Sequence, residues 1–223
     1  MKILVSQPIT NEVIMKKLLF WMVLIVGIVA LFVSCAKKDD DSTTTTASAL
    51  VAVSTASGSI TVGSETLSGT YATGCITAAV SDLVSSNSLP SDTKALGWLF
   101  VVTGNDNVTE ELHGYSDTTC TTKNFHTNLM YDNVSVGSAS GSNYQVIQFN
   151  NEISLLGNTT DADTWLETTY SVTLTVGTEY IKTSSSSIKY YGLWNLSGTT
   201  FQRGLQSTSA YPTELWAIPY TKQ

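Results

Sequence analysis

The chain has 223 residues, 42% of them hydrophobic and only 13% charged, with a formal net charge of −7. That is enough apolar material for one core of ordinary domain size. The acidic balance argues against a nucleic-acid partner, whose phosphates need clustered Lys and Arg, and against adhesion to anionic lipid by charge alone.

In chain order, Met15-Lys16-Lys17 is a short positive segment, and Leu18 to Val33 is an uncharged apolar run that ends at Ser34 and Cys35. A positive start, an oily centre and a small residue before the processing point is the order of a secretory signal peptide. The run is short for a spanning helix, which needs ~20 residues to cross ~30 Å. Residues 1–14 carry no signal pattern of their own, so Met15 is the expected start and residues 1–34 the segment removed. Phe32-Val33-Ser34-Cys35 resembles the lipobox of bacterial lipoproteins, with Phe where that class usually has Leu. The resemblance implies cleavage before Cys35 and acylation of that cysteine. It also implies a membrane partner reached through the lipid and a place on the outer membrane of a bacterial envelope, facing the periplasm or the cell surface. An uncleaved anchor helix and a cleaved soluble protein are the alternatives. Removing 1–34 takes away Lys2, Lys16, Lys17 and Glu12, so the remainder is more acidic than the whole.

After Cys35, residues 36–48 (AKKDDDSTTTTAS) are polar and low in complexity, which predicts a disordered tether and puts the folded domain at 49–223. Lys38-Asp39-Asp40 resembles the lysine-plus-acid signals that send some lipoproteins to the cell surface; its plain reading is a solvated charge run.

From Leu67 onward the hydrophobic period is two. Leu96, Trp98, Phe100 and Val102 share one strand face; Tyr170, Val172, Leu174 and Val176 another; Ile188, Tyr190, Trp194 and Leu196 a third. Gln145, Ile147, Phe149, Asn151, Ile153 and Leu155 form a longer, partly polar face. Such alternation predicts half-buried antiparallel strands. Gly104-Asn105-Asp106-Asn107, Val136-Gly137-Ser138, Gly157-Asn158, Gly177-Thr178 and Ser197-Gly198-Thr199 supply turn chemistry between them. A helix is expected only over Ile76–Leu83, with Ser91–Leu96 as a second candidate. The fold class is therefore all-β: an antiparallel up-and-down meander of about 8–10 strands, with a short helix or loop after the first. Closing it into a barrel removes exposed edges; an open sandwich is the alternative.

With Cys35 assigned to lipid, Cys75 and Cys120 remain, and an oxidising envelope would keep them bridged. Two separate buried thiols are the other possibility. Two distant histidines add no zinc-ligand spacing, so no metal is expected.

Gly69-Thr70-Tyr71 at the first core strand resembles the lipocalin opening Gly-x-Trp, and Arg203, the chain's sole arginine, lies on a late strand beside Phe201 and Leu205. In lipocalins a late Arg lies over the early aromatic, so the resemblance implies a barrel-closing pair of Tyr71 and Arg203. Gly69 to Cys75 and Tyr115 to Cys120 also resemble a paired pattern, G-x-[WY]-x-x-x-C with Y-x-D-x-x-C, of small bacterial lipoproteins with lipocalin-like barrels.

Catalytic chemistry is scarce. His113 shares a strand face with Glu111 and reads as a solvent-facing polar pair; His126 has no carboxylate at a readable spacing. Gly137 to Gly141 fails as a nucleophile elbow because its centre is Ala139. Asn105-Asp106-Asn107 and Asp161-Ala162-Asp163 lack the spacing and closing Glu of a calcium loop. No enzyme and no cofactor are expected. The expected function is binding of a small hydrophobic ligand in a cavity lined by Trp98, Phe100, Tyr170, Val172 and Trp194. The alternative is a filled core that meets a protein or matrix partner through loops 79–95 and 132–144.

Overall fold

Alternation becomes a closed sheet in the computed structural model, which describes residues 50–223. The expected signal segment 1–34, Cys35 and the tether 36–48 lie outside the described residues. A hairpin of β1 (Ile60–Val62) and β2 (Glu65–Leu67) comes first. Then follow β3 (Thr70–Ala72), helix α1 (Val80–Ser85), β4 (Ala95–Val102), β5 (Val108–Tyr115), β6 (Lys123–Ser140) and β7 (Asn143–Gly157). Helix α2 (Thr160–Tyr170) leads to β8 (Tyr180–Ser197), β9 (Thr200–Arg203) and β10 (Tyr220–Lys222). From β3 onward each strand pairs antiparallel with the next, and β10 returns to β3, so eight strands close into one up-and-down barrel. Closure gives each of these eight strands a neighbour on both sides, so the barrel itself has no edge strand.

The interior is built from alternate residues of successive strands. Tyr71 pairs with Phe100, Trp98 with Leu112, Leu196 with Phe201, and Phe201 with Tyr220. Phe201 is the hub of the rings at this end, with centroids 4.5 Å from Phe100, 5.6 Å from Trp194, 5.8 Å from Tyr71 and 5.9 Å from Tyr220. Trp216, from the loop after β9, extends the cluster to Tyr220 and stands edge-on to Trp98 at 5.2 Å.

The outer face of β4 is buried as well, which explains why Ala95, Leu99 and Val101 are apolar. A strap, residues 50–59, crosses it. Leu50 sits where a Cβ on Gly97 would be, and Leu50, Leu99, Val101, Tyr115 and Cys120 form a second small core. Cys75 and Cys120 are joined by a disulfide beside this core, across a sequence separation of 45. Closing a loop of that length stabilises by about 2–4 kcal/mol.

Both barrel ends carry added structure. The β1–β2 hairpin packs at the β8–β9 turn, where Gly198 N donates to Glu65 at 2.8 Å. At the opposite end α2 lies against the start of β6 and the end of β7, with Trp165 on Phe125 at 5.2 Å and Leu166 buried. This helix corrects the predicted strand at 170–176: Tyr170 is the last helical residue, and Val172, Leu174 and Val176 follow in a loop. Thr159 caps the helix by accepting from Ala162 N at 3.2 Å, and Asp161 and Asp163 lie in its first turn, where the dipole favours negative charge. Local capping thus overrides the β preference of its Thr, Trp and Tyr residues.

Three smaller corrections follow. The β6–β7 turn falls at Gly141 and Ser142, with Gly141 at φ 66°, and not at Val136–Ser138, which continue β6. Ser91–Leu96 is loop and the start of β4, not helix. Segment 79–95 is not a projecting loop, because α1 folds back and buries Val80, Leu83 and Leu89.

Candidate functional site

Adjacent glutamates on β5 point to opposite sides of the sheet, and that alternation creates two different polar environments. Glu110 pairs across from Phe100 and faces the interior; Glu111 pairs across from Leu99 and faces outward under the strap.

Inside, Glu110 and Arg203 form an ion pair at 2.9 Å, both nearly inaccessible to water. Gln206 Nε2 donates to Glu110 at 2.6 Å, and Tyr131 donates its hydroxyl to Gln206 at 2.7 Å. Arg203 Nε donates to Tyr220 at 3.3 Å, and the guanidinium lies over Trp216 at 6.0 Å. Tyr131 stands edge-on to Tyr190 at 5.8 Å, and Tyr190 pairs across the sheet with Gln148. These residues form a polar belt around the middle of the barrel, between the ring cluster at one end and α2 at the other. Burial raises the Glu110 carboxyl, Arg203 opposing it, and burial raises the Tyr190 phenol to about 12.

Gln148 is the open member of the belt. Its side chain is fully buried, and neither Oε1 nor Nε2 has a partner. The indole Nε1 of Trp216, on the Arg203 side, is also unpartnered. A buried polar atom left unsatisfied costs about 1–3 kcal/mol, and a buried ion pair gains little over apolar packing. The belt is therefore an expensive way to fill a barrel, and it can offer hydrogen bonds to a small molecule.

Outside, Glu111 accepts from the strap amides of Val53 at 2.9 Å and Ser54 at 2.7 Å. His113 contacts the same carboxylate through Nε2 at 2.8 Å and Tyr115 through Nδ1 at 3.3 Å. The network assigns a neutral imidazole that donates from Nε2 to Glu111 and accepts the Tyr115 hydroxyl at Nδ1. His126 pairs across the strands from His113, ring centroids 5.8 Å apart, with neither nitrogen bonded. The expected solvent-facing pair of Glu111 and His113 is thus corrected to a buried one. Burial alone would raise Glu111, but hydrogen bonds from His113 and the strap bring it to about 2. Burial, with the ionisable His113 and Lys123 nearby, lowers His126 to about 4.

A folded-state pKa below the unfolded value gives stability that is complete above the unfolded pKa and lost as pH falls. For His126 the window runs from 6.5 down to about 4, and at ~1.4 kcal/mol per unit the loss is on the order of 3 kcal/mol. Lowering of His113 by burial acts in the same direction, whereas the raised Glu110 acts against both. Urea titrations between pH 7.5 and 4.5 are expected to show falling stability, with a clearly shallower slope in His126→Leu. Equal slopes in the two proteins would remove His126 as the cause.

The remaining expected site residues fall as follows. Tyr71 and Arg203 both face the interior, but each has another partner: Lys222 Nζ stands 5.8 Å from the Tyr71 ring centroid, and Arg203 takes Glu110, Tyr220 and Trp216. Phe100 and Trp194 meet edge to face at 5.3 Å, both completely buried. Trp98 faces Trp216, so each of these three rings packs against another ring. Tyr170, at the end of α2, is half-buried and bonded to Thr127; Val172 is half-buried in the following loop. Glu110, Gln148, Tyr131 and Gln206 escaped the sequence reading. Among the described residues there is no cluster of three or more His, Cys, Asp or Glu suited to a metal, and no helix long and apolar enough to cross a membrane. A scan against protein-family models and a search of curated proteins returned no match.

Proposed function

We propose that the protein is an envelope-anchored bacterial lipoprotein, lipidated at Cys35, whose barrel is a non-catalytic binding module for a small molecule. The observation that carries the binding reading is the polar belt: a Glu–Arg pair, two tyrosines and an open glutamine amide stand where a structural core would be apolar. The ligand expected from sequence is hydrophobic. The ring cluster already occupies the apolar end, so the ligand must also meet polar groups.

A second reading has its own support. The rings are in continuous contact and both barrel ends carry packed elements, as in a filled core. The outer part of the β6–β7 hairpin, residues 135–142, is mostly exposed and rich in Ser, Gly and Ala. On that reading the hairpin meets a protein or matrix partner.

Mass spectrometry of protein purified from envelope membranes separates the two. The expected result is a native mass that exceeds the denatured mass by one small molecule, and a denatured chain that begins at an acylated Cys35. Equal native and denatured masses would reject the binding module in favour of the hairpin reading. A chain matching residues 1–223 without acyl addition would reject the lipoprotein.

A further inference from the structure

The belt's own pairings restrict what it can receive. Glu110 is neutralised by Arg203, so the interior presents no net charge at this pair to hold an ion. Gln206 is used at both ends of its amide, donating to Glu110 and accepting from Tyr131. Asn150, two residues along β7 from Gln148, donates its amide to the carbonyls of Met130 at 2.8 Å and Glu152 at 2.9 Å. Gln148 is left with a donor and an acceptor on one planar group, fully buried and facing the same interior as Tyr190. The complement of that group is an edge that carries one acceptor and one donor side by side. Tyr131 and Tyr190 place aromatic surface beside it.

We infer that Gln148 receives a small neutral molecule with an amide or lactam edge, which forms two hydrogen bonds to the Gln148 amide inside the barrel. The inference rests on the binding-module reading and specifies its ligand. A charged carboxylate is disfavoured because it could satisfy the Gln148 Nε2 donor but would face the Oε1 acceptor with another acceptor.

The test is an NMR titration of the 15N-labelled protein, with the Gln148 side-chain NH2 pair identified by its loss in Gln148→Leu. Three probes of matched ring size are used: 2-pyrrolidone, N-methyl-2-pyrrolidone and cyclopentanone. The expected result is a saturating shift of the Gln148 pair with 2-pyrrolidone in roughly the millimolar range. The N-methyl compound and the ketone, each without the N–H donor, should bind at least roughly tenfold more weakly. In Gln148→Leu, confirmed as folded by its amide map, the preference for 2-pyrrolidone should disappear. Equal binding of all three probes at interior residues would overturn the amide-edge inference and leave the binding module standing. No shift at Gln148, Tyr190 or Trp216 with any probe would overturn both.

Discussion

Arg203→Ala is expected to lower the unfolding free energy at neutral pH by about 3–5 kcal/mol, among the largest effects of any single polar substitution in the barrel. The loss comes from what is left behind: Glu110 stays buried without its cation, and only the Gln206 hydrogen bond remains to hold its charge. Removing Arg203 also removes the main influence that holds the Glu110 carboxyl down, so its pKa rises further in the variant. A carboxyl whose folded pKa lies above its unfolded value is destabilising when ionised, and that destabilisation is relieved as pH falls. The variant should therefore recover part of its deficit between pH 7 and 5, relative to wild type. Glu110→Gln combined with Arg203→Met should recover most of the stability at neutral pH, because neither side then carries a buried charge. Urea titrations at the two pH values decide it. A loss below about 1 kcal/mol with no pH recovery would mean that water reaches the pair and screens it.

Phe201→Ala should cost a comparable amount, about 3–5 kcal/mol, for a different reason. The ring is fully buried and touches Tyr71, Phe100, Trp194 and Tyr220. Deleting it removes apolar contact and opens a void that four neighbouring rings cannot collapse to fill. Phe201→Leu should lose less, because it keeps more of the volume. Ile181→Ala is the surface comparison: Ile181 is 54% exposed and should change stability by no more than about 0.5 kcal/mol. Near-UV circular dichroism should fall in Phe201→Ala through the Trp194 environment. A loss below about 1.5 kcal/mol would show that the cluster closes over the gap, and Phe201 would not be its hub.

The polar belt was only partly legible, and β5 shows why. The order Glu110, Glu111, Leu112, His113 reveals that Glu111 and His113 share a face and that Glu110 takes the other. It does not reveal that both faces are buried, since the cover over Glu111 comes from the amides of Val53 and Ser54, far back in the chain. On β7 the apolar alternation of Ile147, Phe149 and Ile153 drew attention to that face. The structure buries Val146, Gln148 and Asn150 instead, and the register shift after Asn150 changes sides before Leu155. Periodicity identifies two faces but not which one turns inward, and a bulge exchanges them partway along the strand. Helix α2 had a readable signal in Thr159 followed by Asp161 and Asp163, but its β-forming residues masked it.

By itself the sequence determined the all-β class and the antiparallel order of hairpins, and it made Cys75 and Cys120 candidates for a bridge that the structure then shows. Alternation, turn residues and cysteine parity are local or countable properties, and they persist in any fold the chain adopts. Tertiary structure alone decided that Glu110 meets Arg203 across 93 positions of sequence, that Trp216 and not Tyr71 lies under the guanidinium, and that the Gln148 amide is buried with its hydrogen bonds unmade. Those outcomes depend on the closure of β10 onto β3 and on the loop that carries Trp216 inward. Closure sets which residues from distant strands share one interior, and only then does a polar side chain acquire, or lack, its partner.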